Sequence, residues 1–383
     1  MTTPFDAIPL ERLRTRTSAK WTAYGRDVLP AWIAEMDVDL DPQIRDVLVA
    51  AVENGDTGYV SPRMLQPAFV RYVQHAFGWT VDPARVIVAP DVLQALAEVL
   101  SALTEPGAKI VVNSPVYPPF YRTIREVERT VENVPLVHDN TGWSLDFLGL
   151  ERAFAAGAHA YILCSPHNPL GRVFSERELM RIAELAQRYR VVVIADEIHA
   201  PLTYEAGAHV PFLRVAENVG FEDAVGLWAA SKAWNLAGLK CAQIVAGSEW
   251  MLRRLRAVPP EIAYRASHLG VLASLTAYER GGPWLRELMA HLDRNRLLLG
   301  ELLLAELPAV RYEPPGAGYL AWLDCSALSF DMQPADIFLA RGRVALNRGR
   351  DFGEEGESFV RLNFATTKAI LTEVVARMRA SLV

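Results

Sequence analysis

Three side chains in this sequence are of the types needed for amine and carbonyl chemistry. Lys232 closes the apolar run Ala224–Ala230 and Ser231, and is followed by Ala233 and Trp234. Lysine is almost never fully buried unless paired, and desolvation lowers the pKa of its ammonium. A lysine kept partly neutral is a nucleophile suited to Schiff-base chemistry. The same stretch, taken alone, reads equally well as a surface lysine that opens a loop. Asp196 ends the β-branched run VVVIAD, and Asn168 follows AYILCSPH. Each polar group stands at the carboxyl end of a buried strand, where open α/β sheets bind their ligands.

An aspartate so placed can keep a pyridine nitrogen protonated, an asparagine can donate to a phenolate oxygen, and a lysine can bond an aldehyde. Those are the protein groups that pyridoxal 5'-phosphate (PLP) requires. With 28 residues from Asn168 to Asp196 and 36 from Asp196 to Lys232, the chain resembles the fold-type I PLP enzymes of the class I and II aminotransferase branch. Within that branch it is most similar to the cystathionine β-lyase-type C–S lyases. The resemblance runs from KWTAYGRDVLPAWIAEMD to SFVRLNFA, nearly the whole chain. It implies an α/β fold: a three-layer α/β/α PLP-binding large domain with a mainly parallel sheet, plus a smaller α+β domain.

The resemblance also implies roles for further residues. Tyr117, in PVYPPF, would stack on the cofactor ring. Arg361, in FVRLN, would anchor the substrate α-carboxylate, a fork-to-carboxylate bond that lysine cannot copy, with Asn168 beside it. PAWIAEMD matches an arm that lies over the substrate, which makes Trp32 and Ala34 substrate-side residues; Glu35 and Val38 depart from the family's aspartate and phenylalanine. Tyr59, in GYVSP, would reach the phosphate of the neighbouring subunit's cofactor, so a homodimer with composite sites is implied. His199, three residues after Asp196, stands where the transaminases usually carry tyrosine and the C–S lyases histidine.

The phosphate cup is the least regular part. Pro90-Asp91 opens an amphipathic helix, and the free backbone amides of a helix N-terminus suit a phosphate. The family usually places glycine and small hydroxyl residues there, whereas this chain has Asp91 and Val92. The amides of Val92 and Leu93 are then the candidates, with Asp91 as an N-cap. Lys240 replaces a frequent arginine and Ala229 a frequent serine, which leaves Ser231 as the nearest hydroxyl.

The elements that must position these groups follow from periodicity. Strands are expected at 85–89, 109–113, near 130–134, in the apolar runs within 160–172 and 191–199, and at 224–230. Helices are expected at 42–54, 91–103, 148–156 and 176–189, the last opened by the capping box Ser175…Glu178. Such alternation means a mostly parallel sheet covered on both faces. A helical stretch over about 249–305 precedes an α+β pattern. The expected divisions are an arm over 1–45 that packs with the small domain, a large domain over 46–280 and a small domain over 281–383.

Composition sets the remaining bounds. The chain has 383 residues, 51% hydrophobic and 22% charged, with a net charge of −6 and no basic stripe. Nucleic-acid and anionic-membrane partners are therefore not expected. No apolar run is long enough to span a bilayer, the N-terminus lacks a signal-peptide core, and three scattered cysteines form neither a disulfide nor a zinc framework. A cytoplasmic location is expected. The functional expectation is a PLP-dependent C–S β-lyase that cleaves L-cystathionine or another L-cysteine S-conjugate. An aminotransferase on the same scaffold is the alternative, and a non-catalytic regulator that keeps the fold is a third.

Overall fold

The computed structural model describes residues 4–140, 142–328 and 330–382. By contacts they divide into two units: residues 40–167 with 172–285, and the residues up to Asp39 with Asn168–Gly171 and those from Arg286 onward.

The larger unit is built on a seven-stranded sheet. Its strands are β1 (Val86–Ala89), β2 (Lys109–Val112), β3 (Thr130–Asn133), β4 (Ala160–Cys164), β5 (Val192–Asp196), β6 (Ala224–Trp228) and β7 (Ala242–Ala246). Their order is β1-β7-β6-β5-β4-β2-β3. β7 is antiparallel to both neighbours, and the other pairs are parallel. The register aligns Cys164, Asp196 and Leu227 across three strands. Strands β4 to β7 are buried along their whole length, as largely apolar runs in a sheet covered on both faces are.

Alternate strand residues face opposite layers. Ile110, Ile162, Ile194, Val225 and Ile244 pack in one core cluster with Val99 and Leu100 of helix α1 (Val92–Leu103). On the other face, Trp228 stacks at 6.0 Å from Trp79 and meets the edge of Phe69. Helix α2 (Glu176–Tyr189) carries the expected capping box: Ser175 accepts from the Glu178 amide and Glu178 reaches back to Ser175. The helical expectation over 249–305 resolves into pieces. Ser267 caps α3 (His268–Arg280), and α4 spans Gly282–Glu306. Pro259-Pro260 and Gly281-Gly282-Pro283 interrupt the hydrogen-bond ladder, as proline and glycine do.

The smaller unit holds a four-stranded antiparallel sheet. Its strands are β8 (Arg311–Tyr312), β9 (Leu320–Asp324), β10 (Asn347–Arg348) and β11 (Phe359–Asn363), in the order β8-β9-β11-β10. The residues up to Asp39 belong to it. Leu29–Pro30 pairs with Val344–Ala345, and Asn363 Nδ2 donates to the carbonyls of Ile33 and Glu35, at 2.7 Å each. Beneath the arm, buried Lys20 pairs with buried Asp37 at 2.8 Å and donates to the Glu35 carbonyl. A buried charge is tolerated when it is paired and hydrogen-bonded.

Candidate active site

In the larger unit the candidate residues follow the carboxyl ends of parallel strands. Asp196 is the last residue of β5 and is buried. The Ile198 amide donates to its Oδ1 at 3.1 Å. Burial pushes its carboxyl up to about 7; the Glu197 charge adds to that, while the Ile198 bond and the Lys232 charge oppose it. A carboxylate so far out of water needs a cationic donor to stay ionised.

Glu197 points to the opposite face of β5 and is fully buried. It accepts from the Phe212 amide at 2.8 Å and from His209 Nε2 at 3.1 Å. The sequence reading did not identify this pair, and an acidic residue beside Asp196 was its only signal.

Lys232 lies in the turn after β6 and is half-buried. The turn is closed by bonds from the Trp234 amide to the Ala230 carbonyl and from the Leu236 amide to the Ser231 carbonyl. Trp234, wholly buried, fixes it by donating to the Gly281 carbonyl at 3.1 Å. The lysine therefore stands on a turn anchored in the core. Ser231 beside it is also half-buried, and His199, after β5, is buried.

Tyr117 follows β2 and meets the edge of Phe120 at 5.5 Å. Two residues before it, the Pro115 carbonyl accepts from buried His167 at 2.8 Å. Burial holds the His167 ring down to about 4, so the ring is neutral at pH 7. His167 thus steadies the turn that carries Tyr117, which the sequence reading did not foresee.

At the N-terminus of α1, Asp91 is the N-cap, and its Oδ1 accepts from the Gln94 amide at 2.9 Å. Its Oδ2 takes Lys240 Nζ at 3.0 Å. The two departures from the family pattern are thus one ion pair. The amides of Val92 and Leu93 are first-turn donors, which α-helical geometry leaves without an intrahelical acceptor. Tyr59 is 92% exposed, so it does not pack into its own unit.

The smaller unit carries a second set. Arg361, in β11, is buried. Its Nη1 donates to Asn168 Oδ1 at 3.0 Å, and its Nη2 to the Trp32 carbonyl at 3.1 Å and Asn347 Oδ1 at 2.7 Å. Its Cζ lies 4.9 Å from the centre of the Phe352 ring. Arg361, Asn168 and Trp32, expected from the sequence, are brought together here, whereas Asn347 and Phe352 were not expected. Trp32 also meets the edge of Tyr24 at 5.8 Å, and the Ala34 carbonyl accepts from Tyr319 at 3.1 Å.

The buried Asp196 carboxyl and the turn-borne Lys232 fit PLP: a ring N–H⁺ would give the one its counter-charge, and an aldehyde would bond the other. The family model for class I and II aminotransferases matches residues 27–378. The chain is 36% identical to a cystathionine β-lyase of Corynebacterium glutamicum, over 97% of this chain and 99% of that one. It is 34% identical to cystathionine β-lyase PatB of Bacillus subtilis, over 97% and 98%. Among solved structures, a PLP-bound C–S lyase of Staphylococcus hominis in complex with L-cycloserine matches with a TM-score of 0.92. It is 25% identical, over 99% of this chain and 98% of that one. The chain therefore belongs to the class I and II aminotransferase family of fold-type I PLP enzymes, in the branch that holds the cystathionine β-lyases.

Proposed function

We propose that the protein is a PLP-dependent carbon–sulfur β-lyase that converts L-cystathionine, or another L-cysteine S-conjugate, and water to a thiol, pyruvate and ammonia. The observation that carries this reading is the buried Asp196 carboxyl at the end of β5 with Lys232 on the turn after β6, in a chain similar over nearly its whole length to cystathionine β-lyases.

Bound PLP supplies an electron sink for the pair left at Cα when its proton is removed and the Cβ–S bond breaks. The residues do the rest. Asp196 Oδ would accept the ring N–H and keep that proton in place, and the amide of Ile198 holds the carboxylate in position. Lys232 Nζ would hold the cofactor aldehyde and, as a free amine, would take the Cα proton as a general base. Arg361 binds the α-carboxylate, with Asn168 orienting it; Trp32 and Ala34 line the substrate side. Tyr117 covers the ring face, and His199 flanks the cofactor. The amides of Val92 and Leu93, with Ser231, would hold the phosphate, and Lys240, paired with Asp91, would offset the carboxylate beside it.

Tyr59 completes that phosphate site in a second copy of the chain. Its exposure supports this reading, and so does the run of exposed apolar side chains Val49, Val52, Tyr59 and Met64, of the kind that marks an interface. The protein is thus read as a homodimer. Among the described residues no helix is long and apolar enough to cross a membrane. Three buried thiols support a reducing, cytoplasmic setting.

The test is pyruvate release from L-cystathionine by PLP-loaded enzyme with no keto acid present, with Lys232→Ala as the control. Losing a general base costs about 10²- to 10⁴-fold, so the variant should fold but show neither turnover nor the visible absorbance of lysine-bound PLP. Turnover that requires a keto-acid acceptor would establish the aminotransferase instead.

A further inference from the structure

Arg361 sits at the centre of the small sheet, and its cross-strand partners are Trp322 on β9 and Asn347 on β10. Cross-strand partners point to the same face, so Asn347 is delivered to the guanidinium by strand register. The turn beyond β10 brings a second group. Gly349 and Gly356 approach so closely that a Cβ on Gly349 would stand 2.2 Å from the Gly356 carbonyl oxygen, and one on Gly356 2.1 Å from that of Gly349. Only glycine allows two backbones this near. The fold-back seats Phe352 over the guanidinium, with Trp322 against its edge at 5.3 Å. Trp322 in turn stacks on Phe359 at 5.1 Å, nearly parallel at 8°.

Its two Nη atoms donate to neutral acceptors, two side-chain amides and a backbone carbonyl, and its Cζ lies over an aromatic face. Neutral acceptors fix a guanidinium plane while leaving its charge to act on an incoming anion. A carboxylate at the same place would fix the plane as well but offset the charge, since unit charges a few ångströms apart in a poorly solvated site interact strongly.

We propose that Asn347 is a positioning residue for Arg361: by accepting from Nη2 as a neutral amide, it sets the guanidinium plane for the substrate α-carboxylate and itself adds no opposing charge. Asn347 touches neither the Cα proton nor the sulfur, so it acts on substrate affinity and not on bond cleavage. This rests on the assignment of Arg361 as the carboxylate anchor.

The experiment compares Asn347→Ala and Asn347→Asp in the PLP-loaded enzyme, with L-cystathionine as substrate and Arg361→Lys as control. A hydrogen bond to a charged group contributes on the order of 1.5–3 kcal/mol, that is about 10- to 100-fold. Asn347→Ala should therefore raise KM about 10-fold with kcat within about 2-fold. Asn347→Asp keeps the shape and the acceptor but adds a charge, and should raise KM further, by about 100-fold. A merely structural role gives the opposite order, with the near-isosteric aspartate closer to the parent than alanine. That order, an unchanged KM in both variants, or a loss confined to kcat would each overturn the proposal. If Arg361→Lys itself leaves KM unchanged, the carboxylate assignment fails and the proposal with it. A raised KM in Arg361→Lys beside unaltered Asn347 variants would overturn the role of Asn347 alone.

Discussion

At the scale of single residues, Asp196 is the group whose physical state depends most on the cofactor. In the fold without PLP its carboxyl is raised from an ordinary aspartate value to about 7, chiefly by burial. The folded chain then binds this proton more tightly than the unfolded chain does, so ionising the group costs stability. That cost is absent below the unfolded pKa near 4, grows as pH rises toward 7, and is constant above it. At about 1.4 kcal/mol per pKa unit it amounts to a few kcal/mol. A pyridinium N–H offsets it. The gap in Tm between the PLP-loaded and cofactor-free forms should therefore widen from pH 5 to pH 8, and should be nearly independent of pH in Asp196→Asn. A gap of the same size at both pH values in the parent protein would remove Asp196 from the role of ring partner.

At the scale of elements, the N-terminus of α1 carries two charges that cancel. Asp91 caps the helix with one oxygen and holds Lys240 with the other. If the amides of Val92 and Leu93 hold the phosphate, Lys240 serves mainly to neutralise a carboxylate that would repel it. Lys240→Ala alone should then weaken PLP retention on dialysis, by about 10- to 100-fold. Adding Asp91→Asn to that variant should recover most of the loss, because an asparagine still caps a helix. A double variant as weak as Lys240→Ala would mean that the ammonium grips the phosphate directly.

At the scale of the whole molecule, the proposed homodimer makes each site depend on Tyr59 from the other copy. Lys232→Ala subunits and Tyr59→Ala subunits, each nearly inactive alone, should complement when mixed and allowed to exchange. Half the dimers are then mixed, and each has one intact site of two, so about a quarter of the parent activity should return in a symmetric assembly. Activity no greater than the sum of the two separate variants would place Tyr59 outside the site.

How much of this was legible in the sequence depended on the range of the interactions. The apolar runs of β4, β5 and β6, the Ser175 capping box and the Asp91 cap are local patterns, and the sequence by itself determined them: hydrophobic period and turn chemistry act over a few residues. The family, the cofactor and the order of Asn168, Asp196 and Lys232 along the chain were likewise readable, because each is a residue type at the end of a recognisable strand. What only the tertiary structure decided is pairing. Nothing local in VALNRGRDFG says that Asn347 lies across from Arg361, since strand register between residues 14 apart is set by the packing of the whole sheet. The joining of Asp91 to Lys240, 149 residues apart, follows from where α1 and the turn after β6 meet. The depth of Asp196 and the seat of His167 on Pro115 have the same origin. Burial, and with it the pKa of a carboxyl or an imidazole, is a property of everything packed around a group, and no spacing along the chain encodes it.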